Sequence, residues 1–205
     1  MAGIVAISVG VPLIAPPHAF KGEDRFDEEL DTDQGWAKRN RHAWRRDDRG
    51  FVEFFFAEMF PEPHSTKQVE DCVAWGLETS VEAMLASMDA PSELSRDQVE
   101  ATCRRVRAPL LIIHGDDDRC QPLARAQRLA ELTGAPLVVL KDAGHLPTAR
   151  HPVKVNLLIR DFVDQLTSRR WLLRPQPGHR IPPRPLDPAV LPIAQRAALP
   201  AAITT

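Results

Sequence analysis

The residues best suited to chemistry stand in two short stretches. The first is LIIHGDDDRCQP, Leu111–Pro122, where an apolar run delivers His114, then Asp116, Asp117 and Asp118, with Cys120 close behind. The second is KDAGHLP, Lys141–Pro147, which carries His145 in a short loop. A buried carboxylate that accepts a hydrogen bond from an imidazole fixes the ring's tautomer and stabilises the imidazolium, which is the acid–base half of nucleophilic catalysis. Consecutive aspartates raise a competing chemistry, because carboxylate oxygens suit a hard cation such as Mg²⁺, and that reading would make a metal-dependent phosphatase. Adjacent side chains on one loop rarely converge on one point, and the glycine and terminal glutamate of an EF-hand are out of place. No metal site is therefore expected. His114 ends an apolar run and reads as a packed, hydrogen-bonded core residue. Cys120, with Arg119 as its one basic neighbour, reads as an inert thiol.

The flanking elements say where these residues go. Leu110–Ile113 reads as a strand, Leu123–Leu132 as an amphipathic helix closed by Gly134, and Pro136–Leu140 as a second strand. Val153–Leu166 reads as a helix with Val155, Leu158, Ile159, Phe162, Val163 and Leu166 on one face. Strand, helix, strand, helix predicts an α/β fold with a parallel sheet. Function gathers at the carboxyl ends of such strands. Asp118 lies just past one end and His145 just past the next, so neighbouring strands would bring the two together. GIVAISVG, Gly3–Gly10, reads as a further buried strand.

Residues 23–106 read as mostly helical. Glu23–Asp33 is acidic, and Trp36–Arg49 is basic with Trp36, Asn40 and Trp44 on one helical face. Gly50 breaks the pattern before the apolar helix Phe51–Phe60. Ser65 with Gln68, and Ser95 with Gln98, have the spacing of capping boxes. Val81–Met88 is a short helix between them. From about Arg169 the chain is rich in proline and arginine and is expected to be extended or disordered. Four regions result: 1–22, a strand and loop of the core; 23–106, a helical cap; 107–168, the core that carries the Asp and His loops; and 169–205, the tail.

The totals narrow the field. The 205 residues carry a formal net charge of −2, so nothing global points to nucleic acid or a membrane surface. The basic Trp36–Arg49 stretch could contact phosphates, but the acidic stretch before it favours a solvated surface. No apolar run approaches the ~20 residues of a membrane span, and Met1–Leu13 lacks the marks of a signal peptide. The 3 cysteines are scattered and odd in number, which favours a reducing, cytoplasmic setting.

G-x-x-D-x-x-x-P at Gly115, Asp118 and Pro122, followed after a strand by G-H-x-P at Gly144, His145 and Pro147, resembles the C-terminal half of an α/β-hydrolase. The resemblance covers about Gly3–Leu166. It implies a partial α/β-hydrolase fold, strands six to eight plus a helical cap inserted after the sixth, with Asp118 as the acid and His145 as the base of a Ser-His-Asp esterase or related acyl hydrolase. Asp116 and Asp117 are left as bystanders. FDEELDTDQGWAKRNRHAWRRDDRGFVEFFF and EPHSTKQVEDCVAWGLET also resemble a subgroup of actinobacterial-type hydrolases, some of them joined to further modules, including glycosyltransferase-like ones. The family's nucleophile sits on a G-x-S-x-G elbow between strand and helix. No such motif occurs here, and no serine follows a strand and opens a helix as an elbow must. The nucleophile is thus absent from this chain, and the resemblance implies an N-terminal half, or a fused module, in the native protein. No cofactor is implied. The substrate would be a small molecule with an apolar part, roofed by the Phe51–Phe60 run. The chain alone would be inactive. The alternative is a non-catalytic module that binds an apolar ligand or a partner at the exposed sheet edge.

Overall fold

The computed structural model describes residues 3–16, 18, 25–90 and 94–167. The expected tail lies outside the described residues. Strands β1 (Ile4–Ile7), β2 (Leu110–Gly115) and β3 (Leu137–Leu140) form one parallel sheet in the order β1–β2–β3. Ile4 pairs with Leu110 and Ile7 with Ile113 on one side of β2. Ile112 pairs with Leu137 and Gly115 with Leu140 on the other.

The central strand explains its own composition. Every residue of β2 is buried, so it reads as a continuous apolar run rather than an alternation. Leu110 and Ile112 pack with Val9, Leu13, Ala126 and Leu129, on the side of α5 (Arg96–Cys103) and α6 (Leu123–Thr133). Leu111 and Ile113 turn the other way, onto Val155, Leu158 and Phe162 of α8 (Pro152–Thr167), which follows the single turn α7 (Pro147–Arg150). The two-residue period of the pleat thus feeds two cores, with helices on both faces. Gly134 closes α6 at φ +68°, the left-handed conformation that glycine adopts without steric cost. Buried Glu100 of α5 ties these parts together: it accepts from both Nε and Nη2 of Arg128 on α6 and from the Ile14 amide beyond β1.

From Gly35 to Cys103 the described residues between β1 and β2 are mostly helical, but several boundaries differ from those expected. Trp36–Arg49 is not one helix. A 3-10 turn spans Gly35–Lys38, and α1 (Arg41–Arg46) begins at an N-cap, Asn40, whose Oδ1 accepts the amides of His42 and Ala43. Gly50 does not break a helix. It lies in the first turn of α2 (Asp48–Met59), where its amide has no intrahelical acceptor and donates instead to Asp47 Oδ1 at 2.8 Å. Ser95 and Gln98 form the capping box expected at the start of α5. Ser65 and Gln68 do not. Ser65 precedes α3 (Thr66–Gly76) without capping it, because its hydroxyl donates to the carbonyl of Glu62. β1 also stops short of Gly10, since Ser8 turns the chain at φ +50°.

This segment has its own core. Phe26 meets Trp44 edge-on, Trp44 lies against Phe51, and Phe51 stacks on Phe55. Leu85 of α4 (Val81–Asp89) closes the cluster. Arg41 of the basic stretch is spent on ion pairs with Asp27 and Asp89. No helix among the described residues is long and apolar enough to cross a membrane.

Candidate active site

The carboxyl ends of β2 and β3 bring the two signalled stretches face to face. Asp118, 3% exposed, lies in the loop after β2, and His145 in the loop after β3. Asp118 Oδ2 stands 2.8 Å from His145 Nδ1. Asp118 Oδ1 accepts the amides of Cys120 and Gln121, both at 2.8 Å. One oxygen is therefore pinned by its own loop and the other faces the imidazole. Burial pushes the Asp118 carboxyl upward, but the hydrogen bond and charge of His145, with the Gln121 amide, hold it net below the usual carboxylate range. An ionised acceptor at Nδ1 puts the ring proton on that nitrogen and leaves Nε2 as the basic one.

His114 is the core residue expected, fully buried, and it also buttresses the acid. Its Nδ1 accepts the Val9 amide at 3.3 Å, so Nε2 carries the proton. That proton faces the Gln121 carbonyl at 3.1 Å and Asp118 Oδ2 at 3.3 Å. Burial pulls the His114 ring below its ordinary pKa, despite the nearby Asp118 charge.

Asp116 and Asp117 take no part in the Asp118–His145 contact, but they join the two loops. Asp116 Oδ1 accepts the Asp142 amide at 2.6 Å, and the Asp116 amide donates to Leu140 O. The Asp117 amide donates to Ala143 O at 3.1 Å. Both stitch the Asp loop to the His loop. The loops approach so closely that a Cβ on Gly115 would collide with the Ala143 carbonyl. The three carboxylates reach separate partners, so they form no common oxygen cage. A different trio, Asp118, Cys120 and His145, has ligand atoms within 4.8 Å of one another. Asp118 spends both oxygens on amides and imidazoles, so a cation there would have to displace the Asp118–His145 hydrogen bond.

The profile of the Alpha/beta hydrolase family matches residues 1–156. This chain belongs to that family.

Two solved α/β-hydrolase-fold structures superpose on it. An esterase from Exiguobacterium antarcticum aligns with a TM-score of 0.58 and 17% identity, over 78% of this chain and 56% of that one. A bromoperoxidase from Bacillus anthracis aligns with a TM-score of 0.60 and 18% identity, over 79% of this chain and 58% of that one. At such identities the likeness speaks for the fold alone. In sequence, the chain is 40% identical over 80 residues to a pimeloyl-[acyl-carrier protein] methyl ester esterase of Aromatoleum aromaticum, covering 38% of this chain and 32% of the esterase. The chain thus spans about half the length of the structures and a third of the esterase.

Within this α/β-hydrolase chain, no serine hydroxyl among the described residues is hydrogen-bonded to His145. Ser8 comes nearest to an elbow by pattern, since it follows β1 directly at φ +50° within Ala6-x-Ser8-x-Gly10. Its buried hydroxyl has no hydrogen-bond partner, and residues 9–16 form no helix. A residue that sequence reasoning missed is Glu62, whose buried carboxylate accepts the Gly144 amide beside His145 at 2.7 Å. Nothing local marks it, because its partner lies 82 positions away.

Proposed function

We propose that Asp118 and His145 are the acid and the base of an acyl hydrolase of esterase type, with the serine nucleophile supplied by a further segment of α/β-hydrolase sheet. The observation that carries this reading is the 2.8 Å contact between Asp118 Oδ2 and His145 Nδ1, with Oδ1 anchored by two amides. In the reaction, a serine Oγ attacks the ester carbonyl carbon while His145 Nε2 takes the hydroxyl proton. The tetrahedral intermediate then collapses, the C–O bond to the alcohol breaks, and Nε2 returns the proton to the leaving oxygen. Water repeats the sequence to release the acid and restore the serine. Asp118 stays ionised and holds the ring in one tautomer. The helical segment, 23–106 in the sequence reading, serves as a cap over a small-molecule substrate with an apolar part.

The test begins with the reading frame upstream of the Met1 codon. An elbow of G-x-S-x-G type between a strand and a helix is expected there, and the extended protein should hydrolyse p-nitrophenyl esters. His145→Gln and Asp118→Asn should each lower kcat on the order of 10³- to 10⁴-fold. An upstream frame without an elbow, or an extended enzyme indifferent to His145→Gln, would overturn the reading. So would His145-dependent turnover by this chain alone, which would place the nucleophile inside it.

A second reading, a non-catalytic binding module, has its own observation. β1 is one edge of the sheet among the described residues, and Ile4 at its start and Val153, Leu157 and Val163 on α8 are exposed large apolar residues. A cooperative melt with a soluble monomer or a defined dimer in gel filtration, and no elbow upstream, would favour it.

A further inference from the structure

One buried carboxylate close to His145 has no part in the reaction just described. Glu62 lies in the connection between α2 and α3, and its side chain is 5% exposed. Its Oε1 accepts the Gly144 amide at 2.7 Å. Three residues earlier, Met59 O accepts the amide of His145 itself at 3.0 Å. The connection is braced on both sides: Ser65 Oγ donates to Glu62 O at 2.8 Å, and Arg150 Nη2, just beyond the His loop, donates to Pro63 O at 2.9 Å. Contact is close enough that a Cβ on Gly144 would collide with Pro61 and stand 2.6 Å from Met59 O.

A carboxylate is a costly way to satisfy one amide. Burying it forfeits hydration, and its Oε2 has no hydrogen-bond partner. The nearest opposite charge that could form is on His151, whose Nε2 stands 3.8 Å from Oε1 and is itself buried without a hydrogen bond. The other charged groups around the junction are Asp118, Arg150 and the Glu58–Arg119 pair at 3.9 Å. What a carboxylate gives in return is a charge-assisted bond to the backbone, about twice as strong as a neutral one. It is spent on the peptide next to His145.

We propose that Glu62 is a positioning residue for His145: the helical segment, through Glu62 Oε1 and Met59 O, holds the His loop in the geometry that places Nδ1 on Asp118. The proposal rests on the reading of His145 as the base. It makes the seating of the helical segment and the aim of the imidazole one event, since a shift of the α2–α3 connection removes both anchors together.

The test uses the chain as it is, by NMR. The readouts are the Nδ1–H signal of His145, hydrogen exchange at Gly144 and His145, and exchange at Ile112 and Ile113 as an internal reference. Glu62→Ala should speed exchange at Gly144 and His145 relative to Ile112 and Ile113 by about 10- to 100-fold, the scale of one charge-assisted bond, and weaken the Nδ1–H signal. Glu62→Gln keeps the shape and one acceptor oxygen but loses the charge, and should restore about half of each effect on the free-energy scale. If Glu62→Ala leaves the two loop amides unchanged relative to the reference, or if all four amides speed up together, Glu62 has no positioning role. Asp118→Asn separates this from the reading beneath it. If that variant leaves the Nδ1–H signal intact, the acid–base assignment fails. If it abolishes the signal while Glu62→Ala does not touch it, only the role of Glu62 fails.

Discussion

Replacing Asp118 with asparagine tests the site at its centre. The amide oxygen can keep the bonds to the Cys120 and Gln121 amides. The amide nitrogen then stands where Oδ2 was, 2.8 Å from His145 Nδ1 and 3.3 Å from His114 Nε2. His114 cannot adapt, because its Nδ1 accepts the Val9 amide and its proton is held on Nε2. A donor therefore meets a donor. His145 can adapt by moving its proton to Nε2, so that Nδ1 accepts from the asparagine. Exchanging a charged for a neutral hydrogen bond costs about 1 kcal/mol, and a buried donor left facing a donor about 1–3 kcal/mol. The variant should thus be less stable by about 2–4 kcal/mol near pH 7. Urea denaturation measures that loss, and long-range ¹H–¹⁵N correlation reads the His145 tautomer, which should reverse. The acid limb gives a signed check. Asp118 has a folded pKa below its ordinary 3.8, so its contribution is complete above that value and fades as pH falls through the folded pKa. The gap between wild type and Asp118→Asn should therefore narrow below pH 3.8. A tautomer that stays Nδ1–H, with a stability change under about 0.5 kcal/mol, would refute the hydrogen-bond assignments.

Other perturbations address the supports. Gly115→Ala would press a Cβ onto the Ala143 and Gly144 carbonyls; a loss of about 1–3 kcal/mol is expected, with shifted Gly144 and His145 resonances and an unchanged helical cluster around Phe51. Ser95→Ala removes half of the α5 capping box and should lower stability by about 1 kcal/mol in denaturant, while Ser65→Ala should leave the α3 N-terminus intact because Ser65 does not cap it. Glu100 is pushed down to about 2, first by its bonds to Arg128; its contribution should be full above pH 4.5 and vanish as pH falls through 2, so Glu100→Gln should flatten the acid limb of a stability–pH curve in that window.

How far the sequence could be read depended on whether a residue's partner was local or placed by the strand order. β2 was legible because burial on both faces demands an unbroken apolar run, and the capping box at Ser95 because both of its bonds close within one turn. The pairing of Asp118 with His145 was legible because parallel strands put their loops on one edge. Ser65 misled because its hydroxyl had a competing acceptor, the Glu62 carbonyl, in a proline-flanked connection. Gly50 misled because a glycine weakens a helix interior but not its first turn, where Asp47 takes its amide. Asp116, Glu62 and Glu100 were illegible as supports: their partners lie 26, 82 and 28 positions away and are set only once the chain has folded.

Those long-range supports share a direction. The turn after β1 reaches the site through the Val9 amide on His114, and His114 buttresses Asp118. The Asp loop reaches the His loop through Asp116 and Asp117. The helical segment reaches it through Met59 O and Glu62. Apart from the His114–Asp118 contact, each is a backbone amide held by an oxygen or a ring nitrogen, a class of bond whose direction fixes a loop more strictly than apolar packing does. Parallel strands explain why such stitching is needed, because their carboxyl ends open into loops with no ladder beyond. Met59 also ends α2, the helix that carries Phe51, Phe55 and Phe56 into the aromatic cluster. One continuous helix thus carries both the aromatic side chains of that cluster and the carbonyl that accepts the amide of His145.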